Sequence, residues 1–107
     1  MESPAARAAR TESLFRQVNE RIAEKAEDSP NDQATFVCEC ADPRCAHPIT
    51  APLTEYEEVR SEPTLFLVRP GHADDSIERV VDERKGYEIV EKVDPDAAEV
   101  VEATDPR

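Results

Sequence analysis

Apolar residues in the first 26 positions recur at three- and four-residue intervals. Leu14, Phe15, Val18, Ile22 and Ala26 fall on one narrow stripe, the period of an amphipathic helix. Ser3-Pro4 fits an N-cap followed by proline at the first helical position, and the alanine-rich run behind it has high helix propensity. Glu12–Arg16 and Arg16–Glu20 stand four residues apart and read as ion pairs on the outer surface. Asp28-Ser29-Pro30-Asn31-Asp32 ends the helix as a turn-rich linker. A stripe this narrow either covers the core of its own chain or docks on a partner or a second copy.

Past the linker the period changes. Phe36-Val37 begins a short strand that runs into a group of cysteines. Thr54-Glu55-Tyr56-Glu57 fits a capping box, in which hydroxyl and carboxylate satisfy orphan amides. The short helix behind it buries Tyr56 and Val59 and stops before Pro63. Thr64–Arg69 is β-branched and apolar enough for a central strand, closed by Pro70-Gly71. Tyr87–Val93 reads as a strand. Residues 75–84 stay open between helix and strand, with the strand of a hairpin turning through Arg84-Lys85-Gly86 preferred. From Asp94 the chain is acidic and alanine-rich. Asp94-Pro95 can start a short helix, but so few apolar residues predict a loose tail.

Of the 21 Leu, Ile, Val and Phe residues, 15 lie within 36–93, so the fold is expected there. The predicted organisation is an N-terminal helix and linker over 1–35, a metal-stapled core over 36–93 and an acidic tail over 94–107. The fold class is α+β: an amphipathic helix, then a small mixed domain with a zinc-knuckle-like turn and a small antiparallel sheet. The helix is expected to be separable, so that a chain without residues 1–30 still folds.

Composition narrows the function classes. The net charge of −12 is uneven, +1 over residues 1–26 and −13 over the rest. A body of that sign repels phosphate backbones, which argues against nucleic acid as a partner. The longest uninterrupted apolar run, Leu65–Val68, is far short of the roughly 18 residues of a membrane helix. Met1-Glu2-Ser3-Pro4 leads into no apolar run, so neither membrane nor secretory leader is expected and the assignment is cytoplasmic.

The distinctive chemistry is Cys38-Glu39-Cys40-Ala41-Asp42-Pro43-Arg44-Cys45-Ala46-His47, which holds all three cysteines of the chain. An odd number, two of them only two residues apart, is a poor disulfide framework. In a reducing compartment such clusters are more often metal ligands. Cys38 and Cys40 leave the same face of an extended chain, and Asp42-Pro43 suits the start of a type I turn that brings Cys45 back to them. Three thiolates at about 2.3 Å from one ion suit tetrahedral zinc. The fourth ligand is His72 or His47, with Asp42, Glu39 or water as alternatives. His72 is preferred because ligation there ties the knuckle to the strand ending at Arg69 and closes a long loop.

Phe36–Cys40, Leu53–Arg60, Phe66–His72, Glu78–Val81 and Tyr87–Lys92, in this order, resemble an uncharacterised family of short acidic bacterial proteins. The resemblance spans about residues 12–92. Its pattern includes the Pro-Gly-His segment but no histidine matching His47, which also favours His72. It implies no activity.

The expected function is that of a small zinc-binding protein with a structural metal site, acting as a protein–protein interaction or regulatory module through its N-terminal helix. A thiol and zinc redox sensor is the alternative, and a zinc-dependent hydrolytic enzyme a weaker one, because no pair of carboxylates is singled out by spacing.

Overall fold

A computed structural model describes residues 2–27 and 32–107; the expected linker therefore lies, but for Asp32, outside the described residues. Ser3 caps the first helix as predicted. Its side chain accepts from the Ala6 amide at 3.1 Å, and α1 runs over Pro4–Ala26. A hairpin of β1 (Gln33–Val37) and β2 (Pro48–Pro52) follows, with Phe36 opposite Ile49. The short helix α2 (Leu53–Val59) buries Tyr56 and Val59, and Tyr56 stacks on Phe36 with ring centroids 4.4 Å apart. Pro52 occupies the N-cap position of α2 without a side-chain bond. The capping box read at Thr54–Glu57 is thus not formed, because the helix starts one residue before Thr54.

The second sheet has the order β3-β5-β4, with β3 at Leu65–Val68, β4 at Glu78–Arg84 and β5 at Tyr87–Lys92, all antiparallel. Residues 78–84 are thus strand. Lys85-Gly86 makes the tight turn between β4 and β5, and Gly86 takes φ +88°, a conformation open to glycine. A bulge between Val80 and Asp82 sets Val81 out of register, and both valines are largely exposed.

The strand predicted at the centre of the sheet, β3, sits at its end. It is buried all the same, because the cysteine segment lies along its free edge. The Glu39 amide donates to the Leu67 carbonyl at 2.9 Å, and the Leu67 amide donates to the Glu39 carboxylate at 3.1 Å. One backbone segment thus joins the hairpin to the three-stranded sheet.

Two expectations are overturned by packing. The tail is not loose: Asp94 caps α3 (Pro95–Ala103) by accepting from the Asp96 and Ala97 amides, and Ala97 and Val101 are buried. α1 turns inward a face that shares only an edge with its apolar stripe, through the buried Ala26 and the half-buried Phe15 and Ile22. Leu14 and Val18 are 63% and 46% exposed, whereas Glu12, Arg16 and Asn19 are fully buried. Neither expected ion pair, Glu12–Arg16 or Arg16–Glu20, forms among the described residues; Glu12 and Arg16 belong to the interior, and Glu20 pairs with Arg60 and Arg107. The alanines explain this. Ala9, Ala23 and Ala26 share the buried face, and small side chains let the helix come close enough for its polar residues to reach backbone groups of the core. Arg16 donates to the carbonyls of Pro63 at 2.6 Å and Val101 at 2.7 Å. α1 thus contributes Ala9 and Ala23 to the same core as the two sheets.

Candidate metal centre

The β1–β2 hairpin carries the cysteine loop at its tip. Its base is closed by the Cys38 amide, which donates to the His47 carbonyl at 2.9 Å. Within the loop, Asp42-Pro43-Arg44-Cys45 forms the expected turn, in which the Cys45 amide donates to the Asp42 carbonyl at 3.1 Å. The Asp42 carboxylate accepts from the Arg44 amide at 2.9 Å and tightens that turn, an Asx arrangement typical of Asp before proline.

A second turn comes from the end of β3. In Arg69-Pro70-Gly71-His72 the His72 amide donates to the Arg69 carbonyl at 2.9 Å, and Gly71 takes φ +86°. Proline second and a positive-φ glycine third are the requirements of a type II turn. This turn swings the His72 ring over the cysteine loop. Its Nδ1 lies 3.7 Å from Cys38 Sγ and 3.4 Å from Cys45 Sγ.

Cys38, Cys40, Cys45 and His72 form one cluster whose ligand atoms lie within 4.8 Å of one another. A tetrahedral ion bound at zinc distances needs sulfur–sulfur edges of about 3.8 Å and sulfur–nitrogen edges of about 3.6 Å. The four side chains could hold a metal ion with small adjustments. Cys38 Sγ also accepts from the Arg69 amide at 3.1 Å, so backbone from the β3 turn supports the sulfur as well as carrying the histidine. Burial pushes the Cys38 and Cys40 thiols up, and the neighbouring sulfurs raise Cys38 further. A bound cation reverses that penalty by taking the thiolates as ligands.

The other candidates stand elsewhere. The His47 ring centroid is 6.5 Å from that of His72; with Arg44 and Arg69 it lines an open cleft of about 400 Å³ beside Cys45. Asp42 is engaged with its own turn. Glu39 points away from the sulfurs into the core. Its carboxyl accepts from Asn19 Nδ2 at 2.8 Å, and burial raises it to about 7, opposed by the bonds from Asn19 and Leu67. The chain matches no protein-family model, and comparison with curated proteins and with solved structures gives no match.

Asn19 is the supporting residue that the sequence pattern did not single out. Besides holding Glu39, its Nδ2 donates to the Val37 carbonyl and its Oδ1 accepts from the Val37 amide, both at 2.8 Å. It thus replaces a strand partner at the residue before Cys38. The signal was available: Asn19 lies in helical phase with Ala9, Ala23 and Ala26, the small residues of the close-packed face.

Proposed function

We propose that Cys38, Cys40, Cys45 and His72 bind one zinc ion as a structural staple in a small protein-interaction or regulatory module. The observation that carries this is the convergence of three sulfurs from one loop and a ring nitrogen from another on a tetrahedron-sized cluster. A complete set of four protein ligands is the mark of a structural zinc site, since catalytic zinc keeps one position for water or substrate. Soft thiolates select zinc over hard cations such as magnesium or calcium. Three thiolates around a divalent ion leave one net negative charge, and Arg44 and Arg69 line the adjacent cleft, where they offset it. The ion would tie the hairpin tip to the end of β3, beside the core that the two sheets share.

The test is a comparison of two histidine variants in X-ray absorption and zinc-competition measurements. The full chain should give a shell of three sulfurs and one nitrogen. His72→Ala should weaken zinc binding by an order of magnitude or more and shift that shell, while His47→Ala leaves both unchanged. Equal effects, or an effect of His47→Ala alone, would refute this ligand set.

A second reading, release of the ion on oxidation, draws on Cys45 being the half-exposed thiol of the three. Hydrogen peroxide would oxidise Cys45 and a neighbouring thiol to a disulfide, itself becoming two waters, and the freed zinc is read with a chromogenic chelator.

A further inference from the structure

The face of α1 turned away from the core has a pattern of its own. Positions 7, 11, 14, 18, 21 and 25 alternate spacings of four and three residues and hold Arg, Thr, Leu, Val, Arg and Lys. That is the spacing of one straight seam along a helix that packs against a second helix. Leu14 and Val18 form its centre and are exposed, as are Arg7, Arg21 and Lys25. These three bases make no ion pair among the described residues, while Arg10, beside the seam, is held by Glu2 at 2.5 Å. No acidic residue stands on the seam, although the chain as a whole has nearly twice as many acids as bases, 25 against 13. Two depressions flank the seam, one of about 220 Å³ beside Leu14 and Gln17, the other of about 190 Å³ between Val18, Arg21, Ile22 and Lys25.

We infer that this face docks an acidic amphipathic helix of a partner protein, with an apolar pair on Leu14 and Val18 and carboxylates about one heptad to either side. The spacing sets the register: Arg7 precedes Leu14, and Lys25 follows Val18, by seven residues, or about 10 Å along the helix. A second copy of the chain fits badly. Antiparallel pairing about the midpoint of Leu14 and Val18 sets Arg7 against Lys25, and parallel pairing sets each base against itself; both place like charges together. An anionic membrane fits badly too, because two aliphatic side chains bury little apolar area and the rest of the molecule carries −13. The inference rests on the reading of the chain as an interaction module and names the surface and chemistry of the partner.

The experiment titrates isotope-labelled full-length protein with a designed helical peptide that carries two leucines at the centre of its seam and glutamates one heptad to each side. The same peptide with lysines for glutamates, phosphatidylserine–phosphatidylcholine vesicles, and sedimentation of the protein alone complete the set. The amide signals of Leu14, Val18 and Arg21 are expected to shift with the acidic peptide only. The affinity should fall as salt rises and drop about tenfold in the double variant Arg21→Gln, Lys25→Gln. Both positions are exposed, so circular dichroism of that variant should match the wild type. Absence of shifts, equal binding of the lysine peptide, or occupation of the face by vesicles or by a second copy would each overturn the inference. Zinc counted in the same sample separates this failure from failure of the metal site: a zinc-loaded chain that ignores the acidic peptide refutes only the docking face.

Discussion

Glu12 is a carboxylic acid in the core. It faces Lys92 of β5 at 3.2 Å, and the same Lys92 Nζ is bonded to Glu78 of β4, while Phe66 lies under both the Lys92 ammonium, at 4.1 Å, and the Arg16 guanidinium, at 4.5 Å. One lysine cannot balance two ionised carboxylates in a dry site. Burial therefore raises Glu12 from the ordinary 4.5 to about 9, with Lys92 opposing and Glu78 adding to the shift, so it is neutral at pH 7. A proton held in the folded state and released in the unfolded one makes stability fall as pH rises. The contribution of Glu12 is complete below about pH 4.5 and is lost by about pH 9. Glu12→Gln, which keeps the neutral shape, should flatten that decline relative to wild type in chemical denaturation between pH 5 and 9; parallel curves would show that Glu12 is ionised throughout. Asn19→Ala should cost about 1–3 kcal/mol in the same assay, since it strands the Val37 amide and carbonyl and takes from buried Glu39 one of its two partners, leaving the Leu67 amide. The inward role of Glu12 and Arg16 was not legible in sequence, because their four-residue spacing is also that of a surface ion pair.

Elements were legible where local chemistry decides them. Ser3 and Asp94 each precede a proline and cap their helices as such pairs do, and Lys85-Gly86 gives the turn that settles residues 78–84 as strand. Elements decided by tertiary contact were not. α3 is short and poor in large apolar residues, and it is held because Ala97 and Val101 pack inward, Val101 offers its carbonyl to Arg16, and Thr104 meets Ser13 at 2.9 Å. The inward face of α1 is polar for the same reason, its side chains serving backbone groups that no strand pairs. Deleting residues 1–27 should therefore abolish cooperative unfolding, as followed by near-ultraviolet circular dichroism and a denaturant titration. A truncated chain with a sharp, native-like transition would restore the separable helix.

At the scale of the whole molecule, the two small sheets and three helices of the described residues meet around a core whose interior includes Glu12, Arg16, Glu39, Glu78 and Lys92. Buried polar and ionic groups of this kind add little net stability, because desolvation offsets their attraction, which leaves a tie between the sheets with much to supply. Structural zinc in zinc-finger peptides is worth about 10–16 kcal/mol in apparent binding free energy, more than the net stability of most small proteins. Removal of the ion with a strong chelator should thus collapse the near-ultraviolet signal of the full chain in one transition, and added zinc should restore it. Cys38, Cys40 and Cys45 could be grouped from spacing and turn chemistry because their loop is local, and His72 could be preferred to His47 because a ligand there closes a long loop onto the strand ending at Arg69. What spacing could not show is that the same loop lies along the edge of β3, through Glu39 and Leu67. The most direct measurement is the native mass spectrum of the chain purified without added metal. One species is expected, heavier than the polypeptide by a single zinc ion less the protons its thiolates give up; a metal-free protein with three freely titrating thiols would contradict the zinc site.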